Sequence, residues 1–312
     1  MTGFEPGAAP GTTTQCGQPG RLEVVARAFE MAEVAARRAG VAVRMLSEPA
    51  EMHEADRLLA AIWAPGGPGS PVSAHLMRAL SHSGNYVAGA WAGQDLAGAS
   101  VAFFALQVGS ISLHSHVTGV ASRFRGSHVG LALKLHQRAW VLERDIDEIS
   151  WSFDPLIRRN GWFNLRKLGA DVVRYEQDFY GPMADLINAG DESDRCLVCW
   201  KLTAPGVVAL LEGEETGADP AAPMLVDEDT HGYPVVSSPI DMQDAPAWLC
   251  RVPADVEAWR PGQPDRARAW RLALRGTLGS AMAAGFVAST MTRDGCYVLT
   301  RRVDARQGDS GR

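Results

Sequence analysis

The sequence has no uninterrupted apolar stretch near the ~18 residues that a membrane-spanning helix requires, so an α-helical membrane protein is excluded and no membrane partner is expected. It also lacks any Lys- or Arg-rich run. Its 30 basic side chains are scattered among 36 acidic ones, giving a formal net charge of −6. A phosphate backbone would find no electrostatic footprint there, and nucleic acid is not expected as a partner. The first 20 residues lack the basic stretch and apolar run of a signal peptide. They are Gly/Pro/Thr-rich and read as a disordered tail, with a cytoplasmic location expected. Cysteine is scarce, and in a reducing compartment the five present should be thiols. Cys196 and Cys199 form a C-x-x-C without a second pair. On a strand they would face opposite ways, so neither a zinc site nor a redox pair is expected.

What is present is an ordinary globular composition, 46% hydrophobic and 21% charged over 312 residues, enough to bury a substantial core. Leu22, Val25, Phe29, Ala32 and Ala36 recur at helical spacing before the stop at Gly40. A strand at 41–46, helices at 52–63 and 72–80, and a Gly/Pro loop at 65–71 between those helices follow. Three meander strands come next, at 86–92, 98–106 and 110–120. Then come a strong helix at 129–143, a strand at 148–153, a helix at 158–168 capped by Gly169, and strands at 172–179 and 196–202. This order predicts an α/β fold of the α+β kind: a mixed sheet with helices on its faces, over 21–203. Residues 204–243 are rich in Gly, Pro and acid and read as a linker or long loop. Residues 244–304 read as a strand, a long helix at 264–284 and a hairpin across Arg293-Asp294-Gly295, expected to pack on the first domain; 305–312 read as a disordered tail. That tail unit repeats the strand–Pro–helix–Gly–strand–strand order of 149–202. Either it is a weak internal repeat of half a domain, or helix-plus-hairpin is simply a common unit.

The segment Val120-Ala-Ser-Arg-Phe-Arg-Gly-Ser-His-Val-Gly130 leads from a strand directly into a helix. Such a junction aims unpaired backbone N–H groups at one point and suits a pyrophosphate. Gly126 and Gly130 permit close approach, and Arg125 adds charge-assisted donors. The candidate cofactor-binding residues are therefore Val120, Arg125, Gly126, Ser127, His128, Val129 and Gly130.

This segment resembles the signature V-x-P-x-[FY]-R-G-x-G-x-G of the GNAT (GCN5-related N-acetyltransferase) superfamily. Val120, Phe124, Arg125, Gly126 and Gly130 fall in register, with Ser122 for the usual Pro and His128 for the central Gly. Arg166-Lys167-Leu168-Gly169-Ala170 looks like the family's closing Y-x-K-L-G-F. Trp151-Ser-Phe-Asp-Pro-Leu, with Arg159-Asn160, resembles an uncharacterised bacterial branch of predicted GNAT proteins, as do Trp270-Arg-Leu-Ala-Leu-Arg and the segment from Gly285 to Leu299. The resemblance implies a GNAT-like acyl-CoA fold with a C-terminal extension. It also implies acetyl-CoA or another acyl-CoA as co-substrate, and a backbone N–H near Val120 as oxyanion donor. The Tyr that commonly protonates the leaving thiolate is replaced by Leu165.

His114 and His116 stand two apart on one strand, so both side chains, with Thr118 beyond, should share a face. Either could take an amine proton, hold two corners of a metal site, or be structural. Asp154 ends the next strand and could serve as the base, or cap the helix that follows. His116, His114 and Asp154 are the candidate catalytic residues; Arg158, Asn160 and Asn164 are candidate substrate contacts; no metal is expected. The expected function is an acyl-CoA-dependent N-acyltransferase acting on a small amine or amino-acid-like acceptor in secondary metabolism, with a homodimer left open. A non-catalytic acyl-CoA binder, thioester decarboxylation and aminoacyl transfer are the competing readings.

Overall fold

A computed structural model describes residues 19–63, 69–107, 109–181, 191–214, 219–237 and 245–301. Nearly all of the N-terminal tail, most of the 65–71 loop, parts of 204–243 and the C-terminal tail lie outside them. The first half contains α1 (Pro19–Ala39), β1 (Ala42–Met45), α2 (Pro49–Trp63), α3 (Ala74–His82), β2 (Tyr86–Ala92), β3 (Asp95–Gln107) and β4 (Ser110–Val120). It continues through α4 (Val129–Leu142), β5 (Glu148–Phe153), α5 (Arg158–Gly161), β6 (Asp171–Glu176) and β7 (Arg195–Lys201). The second half contains α6 (Pro205–Leu211), β8 (Met224–Glu228), β9 (Pro234–Val236), β10 (Ala247–Arg251) and α7 (Val256–Trp259). It ends with α8 (Pro264–Leu274), α9 (Ser280–Ala283), β11 (Phe286–Met291) and β12 (Cys296–Arg301).

All twelve strands join one sheet, ordered β1-β2-β3-β4-β5-β7-β6-β11-β12-β10-β8-β9. The second half is therefore a continuation of the first sheet. From the central seam outward, β6-β7-β5-β4 and β11-β12-β10-β8 follow the same sequence of two antiparallel pairings and then a parallel one. The seam pairs Val172 with Ala288, each three residues beyond a left-handed glycine (Gly169, φ +69°; Gly285, φ +87°) that ends the preceding helix. In both halves that helix includes a π turn, at Trp162–Lys167 and Arg275–Gly279. Of the two readings of the repeated element order, the sheet supports the repeat: the halves carry the same strand topology on either side of the seam.

The linker expected at 204–243 is corrected by the strands within it. Met224–Glu228 is short, but Leu225 and Val226 are buried, and the strand pairs in parallel with β10. Its flanking Gly, Pro and acids obscure a run of only three apolar residues, Met224-Leu225-Val226. The expected long helix at 264–284 is divided by its π turn.

Helices α1 and α4 pack together on one face of the first half, while α2 and α3 cover the other with Met52, Leu59, Met77 and Val101. The α4-side core is continuous from Ala28 to Leu299, with Trp200, Trp270, Phe286 and Tyr297 fully buried. The seam thus runs through a shared core, as the burial of Trp270 and Leu274 requires.

Candidate functional site

The 120–130 segment forms a tight turn into α4. Gly126 has φ +82° with no atom near where a Cβ would stand, so its conformation rather than crowding demands glycine. His128 is also left-handed, at φ +66°, and is the residue at which α4 begins. The first helical hydrogen bond runs from Ala132 N to His128 O, at 3.1 Å, so the helix has no acceptor for the N–H groups of Val129, Gly130 and Leu131. Ser127 turns its hydroxyl inward to Phe124 O. Arg125 is exposed, and its charge reaches Arg159, helping with burial to hold that guanidinium below its ordinary value. Arg125 thus lies beside the helix N-terminus at the exit of β4, within electrostatic reach of Arg159, which is ion-paired with Glu257.

Strand β4 pairs with β5 only at Leu113↔Ile149 and His114↔Ser150, then runs six residues further to Val120. A bulge lies at the same level, in the pairing of β4 with β3. On β3, Val101 pairs with Val117 and Ala102 with Ser115, leaving His116 as the extra residue. The bulge also corrects the expected shared face of His114, His116 and Thr118. Both histidines lie against Phe103, ring centroids 5.2 and 5.8 Å away, and His116 hydrogen-bonds the Pro71 carbonyl on the α3 side. Thr118 is flipped to the α4 face, where it meets Ser100 at 2.8 Å, and Ser100 in turn meets Gln137 at 3.4 Å. Strict alternation fails here because one inserted residue reverses everything beyond it.

Burial pushes both histidines below their ordinary values. His114, close to His116 and Lys134, goes down to about 4. Both are neutral at pH 7. The Pro71 carbonyl beside His116 favours its charged form and partly opposes the effect of burial, and a neutral imidazole is the state a base requires. Among the described residues no third His, Cys, Asp or Glu joins them.

Asp154 is placed elsewhere. It is buried and accepts from Arg271 at 2.7 and 3.0 Å, from Arg260 at 3.0 Å, and from the Leu156 N–H at 3.0 Å. Despite its burial, those arginines hold its carboxyl well below the usual range. Its acceptors are saturated by a structural network, so it is no base; nor does it cap the helix that follows, since α5 begins after Ile157 with no side-chain capping bond and Asp154 accepts from Leu156 N–H in the preceding turn. Arg158 is also drawn away, to Arg293 O at 2.8 Å in the β11–β12 turn. Asn164 is buried in the π turn, and Asn160 is half-buried. Leu165 is buried and offers no proton. A cavity of about 280 Å³ between Leu225, Val236, Leu272 and Gly276 belongs to the second half and is lined mostly by apolar groups.

Sequence reading missed Lys134, a buried ammonium on the sheet-facing side of α4. Its signal was a polar stripe, Lys134, Gln137 and Arg138, at i, i+3 and i+4 on an otherwise apolar helix.

No protein-family model matches the chain, and no curated protein sequence matches it. Among solved structures it is similar to an acetyltransferase of the GNAT family from Streptococcus pneumoniae, at 11% identity and a TM-score of 0.42, over 51% of this chain and 98% of that one. It is similar to the ribosomal-protein-S18-alanine N-acetyltransferase from Escherichia coli at 12% identity and a TM-score of 0.41, over 56% and 99%. A chain of the NatC complex bound to Gag peptide and CoA matches at 18% identity and a TM-score of 0.39, over 52% and 99%.

Proposed function

We propose that this chain is a GNAT-type N-acyltransferase that binds an acyl-CoA along β4 and transfers its acyl group to a small amine or amino-acid-like acceptor. The observation that carries this reading is the left-handed turn at Gly126 and His128. It delivers the open N-terminus of α4 to the far end of β4, where that strand has run six residues beyond its last pairing with β5. A pyrophosphate would accept from the N–H groups of Val129 to Leu131, with Arg125 adding positive charge. From Val120 back to Ser115 is five residues of strand, ~17 Å. An extended pantetheine arm of that reach brings the thioester to the bulge. There the acceptor nitrogen would attack the thioester carbonyl, and His116, already neutral, would take its proton.

The test is Gly130→Glu. A Cβ at Gly130 would meet only Val120 Cγ2, at 3.8 Å, an ordinary contact, so the fold should accept the change. The added bulk and negative charge should then abolish acetyl-CoA binding in calorimetry. Unchanged affinity in a folded variant would remove the foundation of the reading.

A further inference from the structure

The acyl-transfer reading leaves the thiolate without a proton donor, since Leu165 occupies the position of the usual Tyr. The described residues contain one cation at the strand divergence itself. Lys134 Nζ donates to Ser115 Oγ on β4 at 2.8 Å and to Gln137 Oε1 at 3.3 Å, and it stands 4.0 Å from the centroid of the Trp151 ring on β5. It therefore spans the two strands one residue beyond their last pairing, at His114↔Ser150. Its side chain is 5% exposed. The chain has only three lysines, Lys134, Lys167 and Lys201, and otherwise uses arginine. An arginine could have filled a structural cation site, but it could not give up a proton near neutrality.

We propose that Lys134 is the proton donor to the departing CoA sulfur. This rests on the acyl-transfer reading above. His114 and His116 occupy the α2/α3 face of β4, and Ser115 and Lys134 the α4 face. The acceptor amine would reach the carbonyl from the histidine face, where its nitrogen forms the new C–N bond and loses its proton to His116. The C–S bond then breaks, its electron pair goes to sulfur, and Lys134 delivers a proton to that sulfur, leaving CoA as the thiol and the lysine as the free amine. Solvent exchange returns the proton from His116 to Lys134. The groups facing Lys134 are Ser115 from β4, Trp151 from β5 and Gln137 on its own helix, with His114 across the strand. Burial, with no carboxylate beside it among the described residues, pushes its ammonium down to about 7, poised to exchange a proton with a thiol of ordinary pKa ~8.5.

The same geometry should act on CoA itself, which permits a test without the acceptor. The wild-type protein is titrated with CoA and with desulfo-CoA, and the ultraviolet absorbance of the thiolate is followed against pH. The expected result is that bound CoA ionises on the order of one pH unit or more below free CoA, because the thiolate is stabilised by the ammonium. Affinity for CoA should exceed that for desulfo-CoA. Lys134→Met and Lys134→Gln should return the bound thiol to its free behaviour while binding desulfo-CoA within about twofold of wild type, which also shows that both variants fold. An unshifted thiol in wild type, or a shift that survives in both variants, overturns the role of Lys134. If wild type binds neither CoA nor desulfo-CoA, the acyl-CoA reading falls and this inference with it.

Discussion

The two halves of the sheet share a topology but divide the work. In the first, β4 is eleven residues long, carries the bulge at His116 and opens into the turn that starts α4. Its counterpart β8 has five residues and leads to the short strand β9; among the described residues, no long helix lies between β8 and β10. The strand-ending Asp154-Pro155 of the first half is matched by Val252-Pro253 in the second. The ion-pair cluster around Asp154 and Asp194 runs one way across the seam, whereas Arg159–Glu257 and Arg166–Asp219 run the other. The first half supplies Asp154, Asp191, Glu192 and Asp194, and the second supplies Arg260, Arg271 and Arg275. The framework is present in both halves, the turn into an open helix N-terminus is described in the first alone, and the second supplies the arginines that brace the seam. Fold and site are thus separable: the topology repeats, and the chemistry does not.

The brace can be broken most directly at Arg271, which is fully buried and bonded to both Asp154 and Asp191. Arg271→Ala leaves carboxylates buried with a single remaining arginine. Removing one partner of such a pair costs about 3–5 kcal/mol. Urea denaturation should show a loss of that size, or the two halves unfolding in separate steps. A change below about 1 kcal/mol would mean that the apolar core alone holds the halves together. Replacing both partners, with Asp154→Leu and Arg271→Met, should recover much of the loss, since desolvating the ions offsets most of their attraction.

Packing across the seam gives a smaller effect of definite sign. A Cβ at Gly161 would lie 2.7 Å from Met291 Cε and 3.0 Å from the hydroxyl of Tyr297, which itself donates to Pro155 O at 2.9 Å. The methionine end can yield, but the anchored tyrosine cannot do so without losing its bond. Gly161→Ala should destabilise by about 1–3 kcal/mol. In the π turn of the second half, exposed Gly276 has nothing within 4 Å of an added Cβ. There the helical preference for alanine acts unopposed, and Gly276→Ala should stabilise by about 0.5–1 kcal/mol. Equal effects at the two sites in thermal denaturation would contradict the close contact across the seam.

What could be read from the sequence follows a physical rule. Periodic elements were legible, from Val129 to Leu142 and from Ser110 to Val120, because each buries a whole face. The turn into α4 was legible because Gly126 needs a positive φ that few other residues supply. The bulge at His116 was not, since one inserted residue leaves no compositional mark and shows only in the pairing with Val101 and Ala102. The partners of Asp154 were not, since Arg260 and Arg271 lie more than 100 residues away along the chain. Strands β8 and β9 were hidden by their length: five and three residues carry too little periodicity to stand out from Gly, Pro and acid.

The smallest effect concerns the site's own departure from the familiar pattern. His128 holds φ +66° with a Cβ, is exposed, and makes no side-chain capping bond at the start of α4. A left-handed conformation costs a non-glycine residue roughly 1–2 kcal/mol. Replacing it with glycine removes that strain but adds backbone freedom to the unfolded chain, which returns roughly 0.4–1 kcal/mol. His128→Gly should therefore stabilise only slightly, by less than about 1 kcal/mol in thermal denaturation. It should leave acetyl-CoA affinity equal or tighter, because the N–H groups of α4 keep their direction and a side chain is removed from the mouth of the turn. Among the described residues the second half contains no corresponding turn to compensate, so the readout is local. A marked loss of acetyl-CoA affinity would show instead that the imidazole contacts the ligand, making the departure from glycine a gain of a binding group.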